Sequence, residues 1–159
     1  MEFIKSATAY QLKDKVFIQG YSRTTIGFTR LTGTVFVAED NNNLDLGNAV
    51  INALNDCKTG VYHETLEEYD QKKDPMIITT RMKTWNALMK LSKNVHIKMP
   101  TIDRITFTPM RFLGTSGNKK GYTWITDKMI KSDLDPEHLG HALLQALALS
   151  ENPYLEEAK

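Results

Sequence analysis

Asp135-Pro136-Glu137-His138-Leu139-Gly140-His141-Ala142-Leu143-Leu144-Gln145-Ala146-Leu147 is the stretch that decides the fold. Leu139, Ala142, Leu143, Ala146 and Leu147 recur at helical spacing, which predicts an amphipathic helix. Asp135 supplies a cap, Pro136 suits the first helical position, and Glu137 puts acid in the first turn. Asn152-Pro153 is expected to stop the helix. Its core has an echo earlier in the chain. Leu46-Gly47-Asn48-Ala49-Val50-Ile51-Asn52-Ala53-Leu54 aligns with Leu139–Leu147 at an offset of 93, with five of nine positions identical. Asn43 or Asp45 is the expected cap of this first helix, and Cys57 is expected on its apolar face. Glycine costs a helix about 1 kcal/mol relative to alanine, so a glycine in both copies argues for close packing.

Outward from the two helices, the pattern turns to strands. Lys15–Tyr21, Thr24–Thr29, Gly33–Ala38, Met76–Thr80, Val95–Lys98, Arg104–Thr108 and Gly121–Thr126 are short and rich in β-branched or aromatic residues. A shorter helix is expected over Thr84–Ser92. Thr115–Gly121 reads as an exposed loop, and His63–Asp74 as a polar connector between two halves. The expected architecture is α+β: a mainly antiparallel sheet in two strand-rich halves, each followed by a helix, with a faint internal repeat.

The chain has 159 residues and is read as one domain over 1–159. A chain of that size buries roughly 70% of its unfolded surface. With 41% hydrophobic and 25% charged residues, the composition excludes disorder. A single cysteine excludes an internal disulfide. The apolar runs are too short to span a membrane, and the N-terminus lacks a signal-peptide pattern, so a cytoplasmic location is expected.

Net charge is +1, yet it is arranged in blocks: +3 over residues 1–38, −6 over 39–74, +9 over 75–131 and −5 over 132–159. Alternating blocks can fold into patches that steer charged partners. The acidic side chains Glu39 and Asp40, and the run Glu64, Glu67, Glu68, Asp70 and Asp74, are candidates for gripping a basic protein. Tyr62 and Tyr69 flank the run and can serve as aromatic anchors.

No catalytic pattern emerges. His138 and His141 share a helix face, but two histidines without further ligands do not make a metal site. Cys57 reads as a buried thiol whose pKa is raised by its surroundings. There is no nucleophile elbow and no phosphate loop; the glycines of Gly114–Gly121 have the wrong spacing. No metal, cofactor or enzymatic activity is expected. The basic block interleaves Trp85, Phe107, Phe112, Tyr122 and Trp124, which offers a second reading as a single-strand nucleic-acid binder, although no RNP-type motif is present.

Several segments taken in order resemble a known family. They are Lys83-Thr84-Trp85-Asn86-Ala87-Leu88-Met89-Lys90, Val95-His96-Ile97, Ile105-Thr106-Phe107-Thr108-Pro109, Tyr122-Thr123-Trp124-Ile125 and His138–Leu147, together with Asp45–Leu54. The family is the immunity proteins of contact-dependent growth inhibition (CDI) systems of Gram-negative bacteria. The resemblance implies a cytoplasmic protein that binds and blocks the C-terminal toxin domain of a delivered effector. In such systems the toxin is often a nuclease, frequently one that cuts RNA. Neither a nucleic acid nor a membrane is expected as partner. The resemblance carries over no binding residues, because immunity surfaces vary with the toxin.

Overall fold

The computed structural model describes residues 3–117 and 119–157. Along the chain run β1 (Ser6–Leu12), β2 (Lys15–Arg23), β3 (Thr29–Glu39), α1 (Asn43–Asn55), α2 (Pro75–Thr80), α3 (Trp85–Leu91), β4 (Lys93–Thr101), β5 (Arg104–Ser116), β6 (Lys119–Trp124), β7 (Ile130–Ser132), α4 (Pro136–Leu149) and α5 (Pro153–Glu157). The strands form one antiparallel sheet in the order β3-β2-β1-β4-β5-β6, with β7 also pairing β5. The two expected halves are therefore the two wings of a single sheet. They meet at the β1–β4 pair, where Ala9 faces Val95.

Each wing is a three-stranded meander followed by a helix, and α1 and α4 lie together on one face of the sheet. Period-two alternation sends Ala7, Ala9, Val16, Ile18, Val95, Ile97, Ile105 and Phe107 to that face. There they pack with Leu46, Val50, Leu54, Leu139, Leu143 and Leu147. Full burial of each large side chain contributes about 1.5–3 kcal/mol.

The repeat is visible in the helix crossing itself. A Cβ on Gly47 would overlap the carbonyl of Pro136, and a Cβ on Gly140 would overlap the carbonyl of Asn43. The offset of 93 relates both the two glycines and the two carbonyls. The recurrent glycine is thus the contact point of two helices related by an approximate two-fold axis.

The caps follow the sequence with small adjustments. Asp135 accepts from the His138 amide and Pro136 opens α4, as expected. Asn42, rather than Asn43 or Asp45, caps α1 through the Asp45 amide. The α4 helix already ends at Leu149 with Ser150 as its cap. Pro153 then opens α5 instead of serving as a stop. Thr84 caps α3 through the Ala87 amide.

Four expectations fail. Met76–Thr80 is helix α2: Asp74 and Pro75 set up its entry, and Met76, Ile77 and Thr80 bury as one helical face. Thr80 Oγ1 donates back to the Met76 carbonyl at 2.7 Å. Thr24–Thr29 is the tip joining β2 to β3, turned at Gly27, and only Thr29 belongs to a strand. Most of the expected loop Thr115–Gly121 is strand, since β5 reaches Ser116 and β6 begins at Lys119. Asn118, also assigned to that loop, lies outside the described residues. Cys57 falls beyond the end of α1 rather than on its face. It is half-buried, its Sγ is 3.2 Å from the Ser6 carbonyl, and burial raises its pKa.

The opposite face of the sheet is only partly covered. Tyr10, Leu12 and Phe17 pack there against Met76, Ile77 and Leu88 of α2 and α3. Beyond this cover the chain from Val61 to Asp74 runs beside β3, and the candidate site lies there.

Candidate functional site

Two backbone pairings moor the start of the segment from Val61 to Asp74. Thr24 bridges Val61, and the Thr25 amide donates to the Val61 carbonyl at 2.8 Å. Thr65-Leu66-Glu67-Glu68 then forms a capping box. The Glu68 carboxylate accepts from the Thr65 amide at 3.0 Å, and the Thr65 hydroxyl accepts from the Glu68 amide at 3.2 Å. Tyr62 donates its hydroxyl to the same carboxylate at 2.7 Å. These contacts, with the Thr65 amide first, hold the Glu68 carboxyl below its ordinary pKa.

Asp70 caps a 3-10 turn over Gln71–Lys73 by accepting from the Lys72 amide at 3.0 Å. Asp74 ties the end of the segment to the body of the protein. Its Oδ2 accepts from Tyr69 Oη at 2.6 Å and from Trp85 Nε1 at 2.7 Å. Partial burial, and then the Asp74 carboxylate, push the Tyr69 phenol up to about 12.

Between this segment and β3 lie two adjoining clefts of about 450 and 490 Å³. Tyr62, Glu64, Glu68, Tyr69, Asp70 and Asp74 line them. Six of the nine residues singled out from the sequence thus gather at one place. Glu67 is exposed on the capping-box turn beside them. Glu39 and Asp40 lie apart, at the other end of β3, across roughly 20–30 Å of strand. Asp40 accepts there from Gln11 at 3.3 Å.

Sequence reasoning missed Gln19, Arg30 and Trp85 as cleft residues. Gln19 and Arg30 belong to strands whose pattern shows only alternation, and Trp85 stood out only among the aromatics of the basic block. It also missed an apolar rim. Phe28 is 62% exposed and Leu66 is 96% exposed, and they join the exposed Tyr62 already named from the sequence. Phe28 sits 5.6 Å from the ring of His63. Large exposed apolar side chains grouped around a charged cleft are what a protein partner covers.

The other constellations disperse. His138 turns to Asp133, with Nδ1 at 3.0 Å from the carboxylate, and that hydrogen bond raises the imidazole's pKa. No group of three or more His, Cys, Asp or Glu suited to a metal ion occurs among the described residues. The basic block does not form one face. Lys98 shares a face with His96, Lys93 shares the opposite one with Val95, and Arg111 pairs with Glu151. No described helix is long and apolar enough to cross a membrane.

The fold places the chain in a class of known structures. It is similar to a protein of unknown function from Neisseria meningitidis, with 22% identity and a TM-score of 0.68 over 95% of this chain and 100% of that one. It is also similar to a chain of a CdiA-CT/CdiI toxin and immunity complex from Yersinia pseudotuberculosis, with 19% identity and a TM-score of 0.65 over 94% and 99%. At such identities the likeness establishes the fold. The family is established by sequence: residues 5–150 match the model of the CDI immunity proteins, and the chain belongs to that family. No curated protein sequence matches it.

Proposed function

We propose that the chain acts as a single cytoplasmic immunity domain. It binds the C-terminal toxin domain of a CDI effector directly and neutralises it, and the toxin is a nuclease that cuts RNA. The observation that carries the interface is the acidic double cleft beside β3 with its exposed rim of Phe28, Tyr62 and Leu66. A nuclease must hold phosphates in a positive groove. A surface carrying Glu64, Glu67, Glu68, Asp70 and Asp74 complements such a groove, speeds encounter and fixes orientation, while the apolar rim supplies affinity. A stable complex of this kind buries roughly 1,600 Å² in total, which requires the rim as well as the carboxylates.

The test is co-expression with the toxin domain encoded beside this chain. Survival of the cells and co-elution of the two proteins support the reading; death of the cells, or separate elution, defeats it. Assay of the released toxin on RNA and DNA settles its chemistry.

A nucleic-acid reading keeps one observation. The His96 ring meets the half-exposed Trp124 at 4.5 Å, inclined at 60°, in a groove of about 290 Å³ on the open sheet face, with Lys98 on the same strand. Salt-sensitive retention on a single-stranded column would support it, and flow-through at low salt rejects it.

A further inference from the structure

The larger question at the double cleft is what enters it. Its floor holds a buried polar atom with no partner. Gln19 is 1% exposed, and its Oε1 makes no hydrogen bond among the described residues. The side chain is not free to flip, because Nε2 donates to the Gly33 carbonyl at 3.2 Å. An unpaired acceptor therefore lies buried in the wall that Gln19 contributes to the cleft. A buried acceptor without a donor is costly until something supplies one.

Two donors on the cleft wall are already committed. Trp85 Nε1 and Tyr69 Oη both point to Asp74. Acceptor capacity is unspent at Gln19 Oε1 and at Glu64, whose contact with Arg30, itself held only over the Tyr69 ring, is a loose 4.0 Å. Across the two clefts, Glu64, Glu68, Asp70 and Asp74 stand against Arg30 and Lys73.

Arg30 also shows what this bed accepts. Its guanidinium lies 5.8 Å from the centre of the Tyr69 ring, beside the Glu64 carboxylate. An aromatic face with a carboxylate at its edge is the arrangement that holds a cation.

We infer that the cleft lined by Gln19, Glu64, Tyr69 and Trp85 is a receptor for one basic side chain of the partner, an arginine guanidinium by preference. The incoming cation displaces Arg30 from Tyr69, donates to Gln19 Oε1 and pairs with Glu64. This rests on the acidic segment being the partner face. A guanidinium suits the bed better than an ammonium because it both stacks flat and donates in several directions.

The two tryptophans make the test direct, since Trp85 lines the cleft and Trp124 does not. The probe is N-acetyl-arginine amide, with N-acetyl-citrulline amide as its neutral counterpart, and the readout is the two indole N–H resonances. Arginine amide is expected to shift Trp85 saturably and leave Trp124 in place, with citrulline amide about tenfold weaker. Gln19→Met and Glu64→Gln should each weaken arginine amide several-fold. The Glu64 change lies on an exposed rim and leaves folding intact. Equal shifts from both probes, joint movement of both indoles, or unchanged titrations in both variants overturn the inference.

The toxin domain is then added to the arginine-saturated protein. Release of the probe supports the assignment, and toxin binding without release overturns it. Uptake of arginine amide by a chain that binds no toxin keeps the subsite and removes the toxin from it.

Discussion

His96 shows how a single residue can set the protein's response to acid. It lies on the open sheet face with Tyr21 at 5.8 Å and Trp124 at 4.5 Å. Burial, and then the Lys98 ammonium, lower its pKa to about 4. An unfolded histidine titrates near 6.5. Below that value the unfolded chain takes up a proton that the folded chain refuses, so stability falls as pH drops from about 6.5 to about 4. The loss reaches at most about 3 kcal/mol. Urea midpoints at pH 7, 5.5 and 4.5 should trace it, and His96→Phe should flatten that limb; an unchanged slope in the variant would assign the loss to other groups. Asp74 is the second residue with disproportionate reach, since one oxygen serves Tyr69 and Trp85 and the residue starts α2. Asp74→Ala should cost about 2–3 kcal/mol, measured by chemical denaturation. The sequence showed Asp74 only as one more carboxylate in an acidic run. Its partner Trp85 is eleven residues away on another element, a pairing that periodicity does not report.

Among the elements, α1 and α4 were the most legible because their whole pattern is local: caps, a proline and apolar positions at helical spacing. The glycine echo also carried tertiary information. Gly47 and Gly140 sit where the other helix's carbonyl would meet a Cβ. Gly47→Ala and Gly140→Ala should each destabilise by about 2–3 kcal/mol through overpacking, despite alanine's intrinsic helix advantage of about 1 kcal/mol. The double variant should cost less than the sum, because the first clash already separates the helices and makes room for the second. Thermal melts of the three variants check this; strict additivity would mean that the two contacts are independent. Strands were less legible where side-chain size served packing rather than propensity. Ser6–Leu12 was not read as a strand, yet it is one of the two central ones, and its Ala7 and Ala9 are small because two helices lie over them. In α2 the error ran the other way: Ile77, Ile78, Thr79 and Thr80 favour a strand, but the proline entry and the burial of Met76, Ile77 and Thr80 impose a helix.

At the scale of the whole molecule, charge follows topology rather than sequence blocks. The basic block is spread over the α2–α3 connection, α3, β4, β5, β6 and β7, and alternation divides its strand residues between two faces. The acidic run stays together because it lies in one irregular segment that doubles back on itself at the capping box. That difference explains why six of the nine candidate residues gathered while Glu39 and Asp40, close in charge but at the other end of β3, did not. It also sets how the proposed complex should behave. Glu67, Glu68 and Asp70 are exposed, so their fields act mainly on encounter, and salt screens them over about 8–10 Å. Reversal of all three to lysine should slow association with the toxin domain by about 10- to 100-fold at low salt, with a smaller change in dissociation. It should also flatten the dependence of the association rate on ionic strength. Phe28→Ala and Leu66→Ala should do the opposite, raising the dissociation rate while leaving the salt dependence alone. Stopped-flow association rates at several salt concentrations separate the two effects. Charge reversals that leave both rate and slope unchanged would move the interface off this face altogether.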